Sequence, residues 1–315
     1  MGLIGLMSLI GLMGCEKEIT TGGANSSGNV TLSFTTTEAD VTRSTISGYF
    51  SKLNVQVFDA TGAKVFDKVK TQTSADADFG SLSVQLSEGT YWVVAVGHSS
   101  TISATIKSMQ MVQFTASDGQ KLTDTFCACQ QITVTDEPEH YDMTMHRVSA
   151  MFRVVLTDDE VPDNVARWQF SYTGGSANFN PTTSEGTTKS TQSEVRPAGG
   201  DMAVYTFPYM ATTGVLKMTL SALSADGSVI RQREWAEVPV TRNRITTYRG
   251  HFFEEGDGNI TQSGFGFTVN GQWEGASGIS FCLLCLLSVT LIRKKNCVSV
   301  LLAYMQGIAN GCDLR

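Results

Sequence analysis

The sequence predicts an all-β protein built from antiparallel β-sandwiches. Short runs in which apolar and polar residues alternate recur along the chain, and turn sequences such as Asp59-Ala60-Thr61-Gly62 and Ser87-Glu88-Gly89-Thr90 separate them. Only 17% of the 315 residues are charged and only 6 are proline, while Thr, Ser, Gly and Val are abundant, a composition that favours strands. No regular alternation of strand and helix patterns is present, so a parallel α/β sheet is not expected.

The amino-terminal run is apolar or small and ends in Leu12-Met13-Gly14-Cys15. It is too short to cross ~30 Å of hydrocarbon, so residues 1–14 are interpreted as a secretory signal. A cysteine directly after the small residue resembles a bacterial lipobox. This predicts cleavage before Cys15, a diacylglyceryl thioether on its sulfur and an acylated new amino terminus. An ordinary signal with a chance cysteine is the alternative. No Lys or Arg precedes the run, which fits a start codon upstream of Met1.

Residues 15–29 are polar and rich in Gly and Ser, and we expect them to form a flexible tether. A first domain is predicted over residues 30–140, and it opens with a strand in which Val30, Leu32 and Phe34 alternate with polar residues. A hairpin, further strands and a strand that is apolar on both faces (residues 91–97) follow. The last belongs in the middle of a sandwich.

Two segments of the body depart from the strand pattern. Ile102, Ile106 and Met109 are at helical spacing, which predicts a short helix within residues 102–114. Residues 174–200 contain few apolar side chains and are predicted to form a long surface excursion.

A second domain is predicted over residues 141–274, beginning after the acidic break at residues 136–139. Its last strand is expected where Phe265, Phe267, Val269 and Trp273 alternate with small and polar residues.

The segment 275–315 is atypical, because it is apolar and carries four of the seven cysteines, followed within it by Arg293-Lys294-Lys295. Three interpretations are open. It could be a membrane segment, although its apolar run of about fourteen residues is shorter than the ~20 that a spanning helix needs. It could be a buried strand or helix, or the product of a shifted reading frame.

Composition and motifs give no support for an enzyme. The formal net charge of −7 argues against nucleic-acid binding. Nucleophile-elbow, zinc-protease and phosphate-loop motifs are lacking. Cys127 and Cys129 are interpreted as strand residues, and the four histidines as structural. The acidic Asp158-Asp159-Glu160 is interpreted as a solvated loop, with a calcium site as the weaker alternative. We expect no cofactor and no metal.

The order of features resembles a known family. The lipobox and tether precede a strand, a Thr-Arg-Ser connector and the segments LNVQVFDATGAKVF and LSEGTYWVVAVGH. These are similar to the amino-terminal domain of the type V fimbrial subunits and fimbrial anchors of Bacteroidota. MTMHRVSAMFRVVL and VTRNRITTYRGHFF resemble strands of their carboxy-terminal domain. The resemblance covers residues 15–273.

This resemblance implies two tandem transthyretin-like sandwiches, export to the outer-membrane surface, and a role in pilus assembly and adhesion without catalysis. In polymerising members, an arginine-specific protease removes the lipidated amino terminus with the first strand, and a strand of the next subunit fills the groove. Carried over, the removable strand is residues 30–34, the cleavage point is Arg43, and the donor strand is residues 265–273. The partners would be other fimbrial subunits. Arg43 could equally be an ordinary loop arginine. Shaft, anchor and tip roles also stay open; anchor members depart from the polymerising pattern because they keep their lipid.

A second hypothesis is a surface lipoprotein that binds a glycan or another ligand without polymerising. Its binding platforms would be the aromatic side chains of Trp168, Tyr172 or Trp235. Aromatic residues at strand spacing also serve as core residues, which is the competing interpretation.

Overall fold

The computed structural model describes residues 28–36, 43–115, 122–253 and 266–270, with the backbone alone for residues 43–45 and 266–270. The predicted all-β class is confirmed, because these residues form nineteen strands and one short 3-10 helix, η1 (Arg43–Gly48). No helix in this part of the chain is both long and apolar enough to cross a membrane. The predictions for Cys15, Phe265, Trp273 and residues 275–315 lie outside the described residues.

The first seven-stranded sheet folds into a two-layer sandwich. One layer has the order β4-β1-β9 and the other the order β3-β2-β5-β8, and a short β8–β9 pairing joins them at a corner. The strands are β1 (Val30–Thr36), β2 (Lys52–Asp59), β3 (Lys70–Thr73), β4 (Ser81–Val84), β5 (Gly89–His98), β8 (Thr125–Val134) and β9 (Glu139–Arg147). Apolar side chains from both layers fill the space between them.

A second sandwich follows from β10 onward. One layer has the order β15-β10-β18-β19 and the other contains β14, β11, β16 and β17 in that order. The strands are β10 (Ala150–Leu156), β11 (Arg167–Ser176), β14 (Lys189–Pro197), β15 (Ala203–Pro208), β16 (Thr213–Leu223), β17 (Val229–Thr241), β18 (Ile245–Gly250) and β19 (Gly266–Asn270). Its core is again apolar and drawn from both layers.

The pairing is antiparallel except for one parallel pair in each sandwich. In the first, β1 lies parallel to β9. In the second, β10 lies parallel to β18. In both cases the parallel pair brings the first strand of a sandwich beside a strand from near its end.

A third, four-stranded sheet of order β13-β12-β7-β6 covers the outer face of β5. Its strands are β6 (Ala104–Ser108), β7 (Met111–Phe114), β12 (Asn178–Asn180) and β13 (Glu185–Gly186). Because β7 pairs with β12, strands from before and after residue 148 form one sheet. Its apolar face packs on Val94 and Val96 of β5.

Two expectations about this region are wrong. Residues 102–114 form the β6–β7 hairpin instead of a helix, since Ala104 and Ile106 are buried with strand periodicity. Residues 174–200 are not a surface excursion, because they contain the end of β11, the whole of β12 and β13, and β14, and Phe179 is fully buried.

Candidate strand-exchange site

β1, the first strand that the structure describes, is a central strand of its layer. It pairs in parallel with β9 over seven residues, from Val30↔Glu139 to Thr36↔Met145. On its other side it pairs antiparallel with β4 over four residues, from Val30↔Val84 to Ser33↔Ser81. The predicted strand at residues 30–34 is therefore present, and it extends to Thr36.

Both faces of β1 are largely buried. Val30, Leu32 and Phe34 point into the core and are 0% exposed. Fully burying a side chain of this kind contributes about 1.5–3 kcal/mol. On the opposite face Ser33 is also 0% exposed, and its hydroxyl finds no hydrogen-bond partner within the described part of the chain. The strand is thus held by its apolar face and its two ladders, with one buried hydroxyl unsatisfied in the middle.

The start of β1 is fixed by the side chain of Asn29. Its amide donates to the carbonyl of Leu86 at 2.8 Å, and its carbonyl oxygen accepts from the backbone N–H of Leu86 at 2.9 Å. The backbone N–H of Glu139 donates to the carbonyl of Asn29 at 2.8 Å. Gly28 precedes it at a point where an added Cβ would lie 2.3 Å from the carbonyl oxygen of Val84, so this place accepts only glycine.

The predicted cleavage residue lies where the folded body resumes after β1. Arg43 is the first residue of η1. Three residues later Ile46 is buried in the core, and its carbonyl accepts hydrogen bonds from the N–H groups of Tyr49 and Phe50. Phe50 in turn packs edge-on against Phe79 at 5.9 Å between ring centroids. The chain after Arg43 therefore has core contacts and hydrogen bonds of its own, in addition to the contacts that η1 makes with β1.

Removing β1 would leave a groove with defined chemistry. The facing edges of β9 and β4 would lose their ladder partners, and three apolar pockets would open between the layers. Unpaired strand edges bind further strands readily, because each free N–H and C=O needs a partner. The arrangement can therefore accept a strand with apolar residues at alternate positions.

Part of the predicted donor segment is β19. This strand lies at the edge of its layer and pairs antiparallel with β18, from Ile245↔Asn270 to Arg249↔Gly266. Phe267 stands opposite Tyr248, and Val269 stands opposite Thr246. In the single chain, β19 is thus paired within its own second sandwich.

A buried polar junction, which the sequence analysis missed, joins the two sandwiches. The Arg147 side chain is 4% exposed, and its Nε donates to both oxygens of Asp124 at 2.8 and 2.9 Å. Its Nη1 donates to Asn243 at 2.8 Å, and its guanidinium lies 4.6 Å from the centre of the Phe126 ring. Ser149 completes the junction by donating to Asp124 at 2.9 Å. Asn243 adopts the left-handed conformation (φ 58°) in the turn after β17. The sequence signal for that turn is an asparagine directly after a strand pattern, because asparagine tolerates this conformation better than most residues.

A second buried polar cluster lies inside the second sandwich. Arg196 donates to Glu194 at 2.6 Å, and both side chains belong to the edge strand β14 yet point inward. The hydroxyl of Tyr172 donates to the carbonyl of Tyr205 at 2.9 Å and contacts Glu194 at 3.1 Å. Burial, followed by the charge of Glu194, raises the pKa of Tyr172 well above its usual value. Inward charges on an edge strand hinder pairing with foreign strands.

The aromatic platforms of the ligand-binding hypothesis are not exposed as expected. Trp168 and Tyr172 are 1% exposed and belong to the core of the second sandwich. Trp235 is half-buried and packs against Phe152 and Tyr248 at 6.0 and 5.3 Å between ring centroids. The core interpretation of these residues is correct for Trp168 and Tyr172.

The cysteine, histidine and aspartate residues considered as ligands in the sequence lie in strands or make hydrogen bonds within the fold. Cys127 and Cys129 are strand residues with free thiols, and burial raises the pKa of Cys129 to about 11. His98 is buried and lies 2.9 Å from Asn54. Asp158 is not simply solvated, since its carboxylate accepts from the N–H groups of residues 252 and 253 at 2.5–2.8 Å. Across the described ranges, no three His, Cys, Asp or Glu side chains are grouped to hold a metal ion.

The fold and the strand arrangement define the class: a tandem β-sandwich protein whose first strand is inserted centrally in a layer. A family model matches residues 22–277, and the chain belongs to that family, the family of unknown function DUF6562. No curated protein matches the chain.

Several solved structures are similar at low sequence identity. A candidate polysaccharide-binding protein from Bacteroides thetaiotaomicron is 11% identical with a TM-score of 0.48, and the match covers 77% of this chain and 95% of that one. A candidate adhesin from the same organism is 12% identical with a TM-score of 0.46 (77% and 95% covered). The fimbrial anchor protein Mfa2 from Porphyromonas gingivalis is 13% identical with a TM-score of 0.41 (77% and 96% covered).

Proposed function

We propose that this protein is a cell-surface lipoprotein of the fimbrial type, which acts in pilus assembly and adhesion by β-strand complementation. One observation carries the proposal. The first strand of the described chain is a central strand whose apolar side chains are fully buried, and it precedes an arginine after which the chain has core contacts of its own. The lipid on Cys15 would tether the precursor to the outer membrane.

The physical basis is the state that follows removal of β1. Two unpaired ladder edges and three empty apolar pockets are costly in water, so a body without β1 gains free energy by accepting a strand of another subunit. The acceptor is the groove between β9 and β4. The donor is the segment 265–273, which ends with Trp273.

The intact chain cannot assemble, because its own first strand occupies the groove. While β1 occupies the groove, no foreign strand can enter without displacing three buried side chains and both ladders. Cleavage after Arg43 removes the covalent link between β1 and the body, so that the strand can leave. A chain that is not cleaved keeps its lipid and serves as an anchor.

Treatment of the purified precursor with an arginine-specific protease tests the proposal. We expect a new amino terminus at Ser44 by mass spectrometry, followed by oligomers in light scattering. The Arg43→Gln variant should stay intact and monomeric, whereas Arg249→Gln, at an exposed arginine in β18, should behave as the unaltered protein. Cleavage elsewhere that spares Arg43, or a truncated protein that stays monomeric, would exclude the shaft role and favour the anchor role.

A further inference from the structure

The carboxy-terminal strand, written backwards, repeats the segment that contains β1. Residues 28–34 read GNVTLSF, and residues 271–265 in reverse order read GNVTFGF. Five of the seven positions are identical. The two differences are Leu32 against Phe267 and Ser33 against Gly266.

We infer that a second copy of this chain fills the groove with its segment 265–271 running in the direction opposite to β1. The inference rests on the proposed function, because it assumes that β1 leaves. It specifies the partner, the register and the orientation of the inserted strand.

The side chains of the reversed strand suit the pockets. Rotating a strand by half a turn about the axis normal to its sheet reverses its direction and keeps each side chain on its face. Val269 then takes the place of Val30, and Phe267 the place of Leu32. Gly266 takes the place of Ser33 and removes the buried hydroxyl that has no partner among the described residues.

The backbone hydrogen bonds also suit this direction without a shift in register. In β1 the carbonyl of Asn29 points to β9, where it accepts from Glu139, and the N–H of Phe34 points to β4, where it donates to Gly80 at 2.9 Å. Odd-numbered residues therefore face β9 and even-numbered residues face β4. In the reversed strand, residues in the places of 30, 32 and 34 face β9. They stand opposite residues 139, 141 and 143, whose backbone groups already point to them, as antiparallel hydrogen-bonded pairs require.

The exchange improves the longer ladder. The seven-residue pairing with β9 changes from parallel to antiparallel, whereas the shorter, four-residue pairing with β4 changes from antiparallel to parallel. Antiparallel pairing is slightly more stable per residue, so the balance favours the reversed strand over β1.

The glycine at the end of the segment makes the inference testable. Gly271 takes the place of Gly28, where a Cβ would lie 2.3 Å from the carbonyl oxygen of Val84. Gly264 takes the place of Thr35, which already carries a side chain. Substituting alanine for the two glycines in turn gives a matched pair with opposite expectations.

The experiment uses the full chain cleaved after Arg43 in the presence of labelled peptides, with binding followed by fluorescence anisotropy. We expect the peptide 264–272 to bind, the Gly271→Ala peptide to bind at least tenfold more weakly, and the Gly264→Ala peptide to bind as tightly as the unaltered one. A peptide of residues 28–36 reports whether the groove accepts any strand. Binding of the 28–36 peptide without the 264–272 peptide would overturn the inference and leave strand exchange intact, whereas failure of both peptides would refute the proposed function itself.

Disulfide trapping then reads the direction. In the reversed strand, a Gly266→Cys peptide should form a disulfide with a Ser81→Cys chain, and a Thr268→Cys peptide with a Ser83→Cys chain. If the segment instead runs in the direction of β1 with the same three pockets filled, residue 266 lies opposite Ser83 and residue 268 lies opposite Ser81. The Gly266→Cys peptide then bonds to the Ser83→Cys chain, and the Thr268→Cys peptide to the Ser81→Cys chain; these are the swapped combinations. Mass spectrometry identifies the bonded pairs, and a predominance of the swapped combinations would overturn the inference. The uncleaved chain, in which β1 fills the groove, serves as the control.

Discussion

Replacing Leu32 by alanine tests whether β1 holds the precursor together. Leu32 is 0% exposed in the centre of β1. A buried Leu→Ala change costs about 2–5 kcal/mol, the lost burial plus the cavity that remains. The matched control is Thr31→Ala on the opposite face. There the half-buried hydroxyl makes one 3.4 Å contact with Ser83, and a change of about 0.5 kcal/mol or less is expected.

Urea unfolding of the uncleaved chain, followed by tryptophan fluorescence, measures the difference. With a slope of about 2 kcal/mol/M, Leu32→Ala should lower the midpoint by about 1 M or more, and Thr31→Ala should leave it nearly unchanged. After cleavage at Arg43, the Leu32→Ala strand should also dissociate faster than the unaltered one. Equal midpoints for the two variants would show that β1 is not a core strand in solution, and the reasoning about the groove would fail with it.

Three further outcomes are expected. Arg147→Met should destabilise the chain by about 3 kcal/mol, because it leaves the carboxylate of Asp124 without its charged partner, and adding Asp124→Asn should recover part of the loss in chemical denaturation. Burial, with the charge of Lys52 as a lesser cause, lowers the pKa of His98 from 6.5 to about 4. The unfolded chain therefore binds the proton first, and stability should fall by about 3 kcal/mol as pH drops from 6.5 to 4; most of this loss should be absent in a His98→Gln variant whose fold is verified by circular dichroism. The Cys129 thiol, whose pKa partial burial raises to about 11, should react with iodoacetamide at pH 8 far more slowly than cysteine in solution, and fast alkylation at Cys129 itself, located by peptide mass spectrometry, would contradict its partly buried placement.

The strands were predictable because each has a local pattern of apolar residues, either alternating or continuous. β5 shows this best, since its residues are apolar on both faces and it lies between β2 and β8, with one face in each of two cores. The first strand was found from Val30, Leu32 and Phe34 for the same reason. The parallel pairing of Val30 with Glu139 was beyond the sequence, because no local pattern identifies a partner more than one hundred residues away.

The errors arose where local pattern and burial disagree. Ile102, Ile106 and Met109 are at helical spacing by coincidence, and a turn near Gln110 reverses the chain instead. Residues 174–200 look too polar for a core, yet Glu194 and Arg196 are buried, because they form an ion pair and Glu194 also accepts a hydrogen bond from the hydroxyl of Tyr172. The hydrogen bond between Glu194 and Tyr172 depends on the contact of two strands, which composition does not report.

The shared sheet of β6, β7, β12 and β13 has a mechanical consequence. A surface filament transmits drag from its far end to its root through every subunit. If the covalent link near residue 148 were the sole connection, that tension would act on a single flexible joint. Here the β7–β12 hydrogen bonds and the aromatic contact of Phe114 with Phe207, 5.9 Å between ring centroids, form a second mechanical connection beside the first. The protein should therefore yield to pulling by losing a strand from a sandwich before its two halves separate.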